Sequence, residues 1–258
     1  PFDDENVIAG QGTIGLELLE QIPDVDAVIV PVGGGGLIAG VAYTAKMLNP
    51  NIKVYGVQAA GAPSMVQSIE DGEIKKLDKV STIADGIAVK QPGTLTYELC
   101  RQYVDKIITV TDDEICAAIL HLLEKRKIIS EGAGAVSVAA AMFGDLPLKG
   151  KKVACIVSGG NIDVTIFNRI INRGLQKAGR LCELAIALND SPGQLVIVSQ
   201  IIAKYGANVT AVLHERTNTT ININECVLRI TMETRNADHI QQIIAALKDA
   251  GFHILSAE

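Results

Sequence analysis

Over residues 1–175, apolar positions fall into short β-branched runs separated by longer stretches with helical spacing. Residues 27–32, 53–58, 106–110 and 152–157 read as strands. Residues 12–22, 37–48, 112–125 and 132–142 read as helices. Short apolar runs alternating with helices predict an α/β unit: a parallel sheet with helices on both faces. Ligands in such folds sit beyond the carboxyl ends of the strands.

From residue 181 the rhythm changes. Residues 182–188, 208–217, 225–234 and 252–256 read as strands, and 192–205 and 237–250 as amphipathic helices. In the third of these strands Cys226, Leu228, Ile230 and Met232 alternate onto one face. The order βαββαβ predicts a ferredoxin-like unit over 181–258, after an α/β unit over 1–175. Residues 168–180, with Gly174 and Gly179, read as the connection. In the turn before the first helix of the second unit, Pro192 fits a first helical position and Asp190 or Ser191 can cap it.

Composition removes several function classes. A formal net charge of −6 and a pI near 5.3 argue against nucleic acid as a partner. No apolar run reaches the roughly 18 residues of a membrane span, and no signal-peptide pattern opens the sequence. Five scattered cysteines without Cys-x-x-Cys predict reduced thiols in a cytoplasmic protein. The four histidines show no metal-ligand spacing, which predicts no structural zinc site.

Candidate chemistry concentrates where the first strand ends, at Gly33, Gly34, Gly35 and Gly36. Four glycines carry a large backbone entropy cost, so the run implies backbone that approaches something closely. Between a strand and a helix, its N–H groups can converge on an anion with the positive end of the helix behind them. The nucleotide P-loop motif is absent, because Leu37 and Ile38 follow Gly36 where it needs Lys and Ser or Thr, so an ATP or GTP site of that type is not expected. Gly34-x-Gly36-x-x-Ala39 fits the dinucleotide pattern, but the next strand ends in Gln58 and Ala59 rather than the ribose-binding acid. A glycine turn without a ligand remains the other reading. A second pair, Gly159-Gly160, lies at another strand end and could face the same ligand.

Pro31-Val-Gly-Gly-Gly-Gly-Leu37 and Ser158-Gly-Gly-Asn-Ile-Asp163 resemble the pyridoxal-phosphate (PLP) enzymes of the threonine dehydratase and serine racemase group. The resemblance continues through Gly10-Gln-Gly-Thr-Ile-Gly-Leu-Glu17, Ala84-Asp-Gly-Ile-Ala-Val89 and Glu131-Gly-Ala-Gly-Ala135. It implies a fold-type II PLP domain over 1–175, and residues 181–258 resemble an ACT domain. By the resemblance, Gly33, Gly34, Gly35, Gly36 and the Leu37 amide hold the cofactor phosphate, and Ser158 meets the pyridine nitrogen. A hydroxyl there leaves the ring a weaker electron sink than an aspartate would, which suits β-elimination. Glu131 and Gly86 would lie near the ring; taken alone, Ser158 and Glu131 read equally as helix caps, and Asp85 as a turn residue. In the ACT resemblance Asp190, Pro192, Gly193 and Asn208 would bind an effector amino acid at a dimer interface, although some ACT domains only pair subunits.

Two departures bear on mechanism. Residues 58–64, where relatives carry divalent-cation carboxylates, offer none, so no Mg²⁺ or Ca²⁺ site is expected. The family's Schiff-base lysine lies in Ser-Phe-Lys-x-Arg-Gly before the tetraglycine loop, and no lysine of this sequence has that context. The expectation is therefore the C-terminal portion of a homo-oligomeric threonine ammonia-lyase converting L-threonine to 2-oxobutanoate and ammonia, inactive by itself. Such an enzyme would serve isoleucine biosynthesis or threonine catabolism. A split enzyme, an L-serine dehydratase or racemase, and a non-catalytic amino-acid-sensing regulator fit the same residues.

Overall fold

The computed structural model describes residues 2–216 and 224–257, so Pro1 and the Thr217 end of the second predicted strand of the 181–258 unit lie outside the described residues. Two compact units divide the chain, Pro1–Gly174 and Leu175–Glu258.

In the first unit four strands, β1 (Ala27–Pro31), β2 (Lys53–Ala59), β3 (Lys106–Val110) and β4 (Val153–Cys155), run parallel in the order β3-β2-β1-β4. β1 is buried along its whole length because it is covered on both faces. Val28 and Val30 enter one apolar cluster with Ile38 and Val41, while Ile29 enters another with Val57, Ile115 and Val136. The order reverses at β1, which has β2 on one side and β4 on the other, and this opens a crevice at its carboxyl end.

The helices are α1 (Glu5–Gln21), α2 (Gly36–Leu48), α3 (Ser64–Asp71), α4 (Thr94–Tyr103), α5 (Asp112–His121), α6 (Gly132–Phe143) and α7 (Val164–Lys177). Several bounds differ from expectation for local physical reasons. α1 starts before Gly12, because Asp4 Oδ1 accepts the Asn6 and Val7 amides at 2.9 and 3.2 Å and caps it. β4 stops at Cys155, although the Ile156 amide still donates to the Ile29 carbonyl at 3.0 Å. α5 ends at His121 and passes into a π turn, Leu122–Arg126. The expected connection at 168–180 is instead helical through Lys177. Gly174 serves close packing there, since a Cβ would stand 2.8 Å from the Cys116 carbonyl oxygen.

Helices α1 and α2 also meet backbone to backbone. A Cβ on Gly40 would collide with the Ile8 carbonyl oxygen and stand 2.6 Å from the Gly12 amide nitrogen; one on Gly12 would stand 2.6 Å from Thr44 Oγ1. Behind α2, the Asp105 carboxylate accepts from Lys46 Nζ at 2.7 Å, Lys53 Nζ at 2.8 Å and the Val54 amide at 2.8 Å. Burial pushes this carboxyl up, but the two ammonium groups and the amide outweigh burial and hold it below its usual range.

The second unit consists of β5 (Leu181–Asn189), α8 (Gln194–Lys204), β6 (Asn208–Glu215), β7 (Glu225–Glu233), α9 (Ala237–Asp249) and β8 (His253–Ala257). Its antiparallel sheet has the order β6-β7-β5-β8, with both connecting helices supplying one apolar core. Cys226, Leu228, Ile230 and Met232 all face that core. Buried His239 ties the helices together: its Nε2–H donates to the Tyr205 carbonyl at 2.8 Å and its Nδ1 accepts the Arg235 amide at 3.1 Å. One local expectation is corrected. Gly193, at φ +94°, precedes α8 with no side-chain cap, so Pro192 lies in the turn and neither Asp190 nor Ser191 caps the helix. A left-handed residue at that point favours glycine and displaces the helix start by two positions.

Gly40→Val is expected to cost about 1–3 kcal/mol by overpacking, read as a lower urea midpoint with the slope unchanged. For Asp105 the lowered folded value means that its stabilisation is present above the unfolded carboxylate range, near pH ~3.9, and is lost as pH falls through the folded value. Asp105→Asn should therefore lower Tm at pH 7, and its deficit against the parent chain should shrink as pH falls below the unfolded carboxylate range in a thermal-melt series.

Candidate cofactor site

The loop after β1 is built from backbone because its neighbours leave no room for side chains. Gly35 sits at φ +99°, and a Cβ there would stand 2.8 Å from both Met65 Cε and Thr96 Cβ. On Gly34 a Cβ would overlap the Phe2 ring carbons; on Gly36 it would stand 2.8 Å from the Phe2 carbonyl oxygen. The first bond of α2 runs from the Ala39 amide to the Gly35 carbonyl at 2.9 Å, which leaves the Gly36, Leu37 and Ile38 amides as first-turn donors without helical acceptors. Gly33 and Leu37 are half-buried, whereas Gly34, Gly35 and Gly36 are buried. Amides at such a helix start can donate to an anion.

Three remote segments close around this loop. A Cβ on Gly33 would stand 3.1 Å from Ile87 Cα and 3.5 Å from the Gly86 carbonyl oxygen. Gly86 lies in a short 3-10 turn, Asp85–Ile87. Its approach is held by Asp112 at the start of α5, which accepts from Thr82 Oγ1 at 2.6 Å and the Ile83 amide at 3.3 Å. Beyond Gly86 lies Glu131, whose Oε1 is 3.5 Å from where a Gly86 Cβ would be. Glu131 precedes α6 without capping it by its side chain. The α6 start is made of small residues, and a Cβ on Gly134 would overlap the Ser158 carbonyl oxygen.

From β4 the chain reaches Ser158 and Gly159. Gly159 has φ +86°, its carbonyl accepts the Glu131 amide at 3.4 Å, and a Cβ on it would overlap Glu131 Oε1. Gly33, Gly86, Glu131 and Gly159 thus form a contiguous series, with half-buried Ser158 beside it. A cavity of about 290 Å³ opens at the Gly86–Glu131 part of that series, lined by Asp85, Gly86, Glu131, Gly132, Asn161 and Asp163; the glycine loop and Ser158 do not line it. The Thr165 amide, donating at 2.8 Å, holds the Asp163 carboxyl below the usual carboxylate range.

Four residues that sequence reading missed position this loop. Asp3 accepts the Thr94, Leu95 and Thr96 amides at 2.9, 2.9 and 3.1 Å, serving as a remote cap for α4. Phe2 then lies on Gly34 and Gly36. Thr96 Oγ1 donates to the Gly34 carbonyl at 2.6 Å. Gln58 Oε1 accepts the Met65 and Val66 amides at 3.0 Å, while Gln58 Nε2 and Ser64 Oγ are buried without a protein partner. No short-range pattern could reveal the first three, whose partners lie tens of residues away. A glutamine at a strand end was the only visible signal for the fourth.

The structure does not gather the four candidate effector residues. Asp190, Pro192 and Gly193 line a cavity of about 350 Å³ with His214 and Arg216. Asn208 lies at the other end of β6, opposite Glu233, to which its Nδ2 donates at 3.0 Å. β6 has 8 residues, so about 24 Å separates the two ends.

Thr96→Val keeps the shape but leaves the Gly34 carbonyl with only the Gly93 amide, which is 3.3 Å away. A loss of about 1–2 kcal/mol in urea unfolding is expected, with amide hydrogen exchange rising first in residues 33–37.

Residues 1–159 match the model of the family described as pyridoxal-phosphate dependent enzyme. The chain is 48% identical over 98% of its length to the L-threonine ammonia-lyase of Thermotoga maritima and spans 63% of that protein. Among solved structures, the processed form of threonine deaminase isoform 2 from Solanum lycopersicum matches with TM-score 0.64 and 42% identity, over 67% of this chain and 48% of that one. Serine racemase from Dictyostelium discoideum matches with TM-score 0.58 and 47% identity, over 64% of this chain and 53% of that one. The glycine-lined crevice at the carboxyl end of β1 lies within the matched residues, and the chain belongs to the family of pyridoxal-phosphate dependent enzymes.

Proposed function

We propose that this chain is the C-terminal portion of a threonine ammonia-lyase, a cytoplasmic enzyme that converts L-threonine to 2-oxobutanoate and ammonia by β-elimination. The observation that carries the reading is the close packing of Gly33 on the Gly86 turn, and of Gly86 and Gly159 on Glu131, which gathers four separate segments beside a free helix start. PLP fits these residues at the phosphate end, where the Gly36, Leu37 and Ile38 amides offer backbone donors without helical acceptors.

In this reading the Gly36 and Leu37 amides, with the preceding glycines, bind the phosphate. The Ser158 hydroxyl meets the pyridine nitrogen and orients the ring. Glu131 and Gly86 flank it, and the packed α6 start keeps water from that side. When bound, PLP supplies an electron-withdrawing ring that acidifies the substrate α-proton and lets the β-hydroxyl leave. None of the chain's lysines lies in the Schiff-base motif, so the reading assigns covalent attachment and α-proton removal to a segment outside this sequence. The relatives' greater length supports that assignment.

The βαββαβ order and its turn at Asp190, Pro192 and Gly193 support an ACT-type regulatory role for the second unit. An effector amino acid would lie against that turn, and Asn208 could join only from a second copy, given its place at the far end of β6. The exposed edge strand β6, with Val212 and Leu213 open to solvent, supports homo-oligomerisation.

The native polypeptide, isolated from its source and reduced with borohydride in the presence of PLP, should carry a pyridoxyl adduct and have a mass above that of the 258 residues here. It should release 2-oxobutanoate from L-threonine faster than pyruvate from L-serine, whereas the 258-residue chain alone should release neither. The 47% identity to a serine racemase makes serine the relevant competitor. Serine racemisation exceeding threonine elimination would overturn the substrate assignment, and no turnover or adduct in the native polypeptide would overturn the enzyme reading.

A further inference from the structure

Three strands of the second unit bring together a carboxylate, an imidazole and a thiol. Asp190 follows β5, His214 is on β6 and Cys226 is on β7, and their ligand atoms all lie within 4.8 Å of one another. His214 Nε2 is 2.9 Å from Cys226 Sγ, and the Leu188 carbonyl oxygen lies 3.6 Å from the same sulfur. Cys226 is fully buried while Asp190 and His214 are exposed, so the group forms a half-sheltered site with one fixed and two adjustable ligands. His214 and Asp190 also line the cavity of about 350 Å³, so the open side of the group faces solvent-accessible space.

We propose that Asp190, His214 and Cys226 bind one Zn²⁺ ion. Nitrogen, thiolate sulfur and carboxylate oxygen from one residue each form a borderline-soft donor set that suits zinc, whereas Mg²⁺ and Ca²⁺ require oxygen ligands. Three protein ligands leave a fourth tetrahedral position, which a water would fill from the cavity side. Zn–N near 2.0 Å and Zn–S near 2.3 Å place nitrogen and sulfur about 3.5 Å apart in a tetrahedral site. The present separation is 2.9 Å, so an exposed imidazole has to retreat by only about 0.6 Å to admit the ion. Arg216, whose Nη2 lies 3.1 Å from Asp190 Oδ1, is itself exposed and can turn outward. On binding, the Cys226 S–H bond breaks, sulfur donates the electron pair to the metal, and the proton leaves to solvent.

The absence of ligand spacing among the histidines does not conflict with this site, because its three ligands come from different strands. It is also independent of the catalytic reading, since all three residues lie in the Leu175–Glu258 unit.

Co²⁺ titration of the metal-free 258-residue chain provides the test, with Zn²⁺ as competitor. The expected result is one Co²⁺ per chain, with a thiolate-to-metal charge-transfer band in the near ultraviolet that one equivalent of Zn²⁺ removes. Cys226→Ser should abolish the band, and the exposed-site variants His214→Gln and Asp190→Asn should each weaken Co²⁺ affinity at least tenfold with unchanged circular dichroism. Absence of a charge-transfer band in the parent chain, or a band and affinity that survive His214→Gln, would overturn the proposal even if Cys226→Ser failed to fold.

Discussion

Around residues 33–36 the chain is packed so closely that a single Cβ would intrude on a neighbour, and the rest of the crevice is arranged by that constraint. Phe2 lies against Gly34 and Gly36, Met65 and Thr96 against Gly35, and the Asp85–Ile87 turn against Gly33. Each contact comes from a different part of the first unit. The loop can therefore present its amides in one direction only if all of them form. The left-handed backbone at Gly35 is the visible cost of this arrangement, and Thr96 and Gly93 hold the preceding carbonyl in place.

The same device recurs where the other side of the crevice closes. Gly134 and Gly159 let the segment after β4 run against the start of α6, so that Glu131 and Ser158 share one neighbourhood. Gly12 and Gly40 set α1 against α2, the helix that follows the glycine loop. Behind α2, Asp105 ties Lys46 to the start of β2. Positioning here relies on backbone contact and hydrogen bonds more than on large side chains, which agrees with a composition containing 24 glycines and only 3% aromatic residues.

The second unit follows a different logic. One face of its sheet is covered by α8 and α9, with the core-facing alternation of β7 as its most regular feature. At the other extreme is β6, an edge strand with apolar side chains exposed. An edge of that kind favours pairing with another strand, which is the physical basis for the oligomer proposed above.

Local pattern alone was sufficient for the strands of both units, the parallel and βαββαβ classes, the inward face of β7 and the tight glycine loop between β1 and α2. Each of these depends on residues within a few positions of one another, where periodicity and steric freedom act directly. The capping of α4 by Asp3, the use of Gln58 on α3, the helical course of residues 168–177 and the separation of Asn208 from Asp190 depended on tertiary structure. So did the meeting of Asp190, His214 and Cys226. Sheet order and strand register decide which distant residues become neighbours. Those are properties of the packed chain, and local spacing does not encode them.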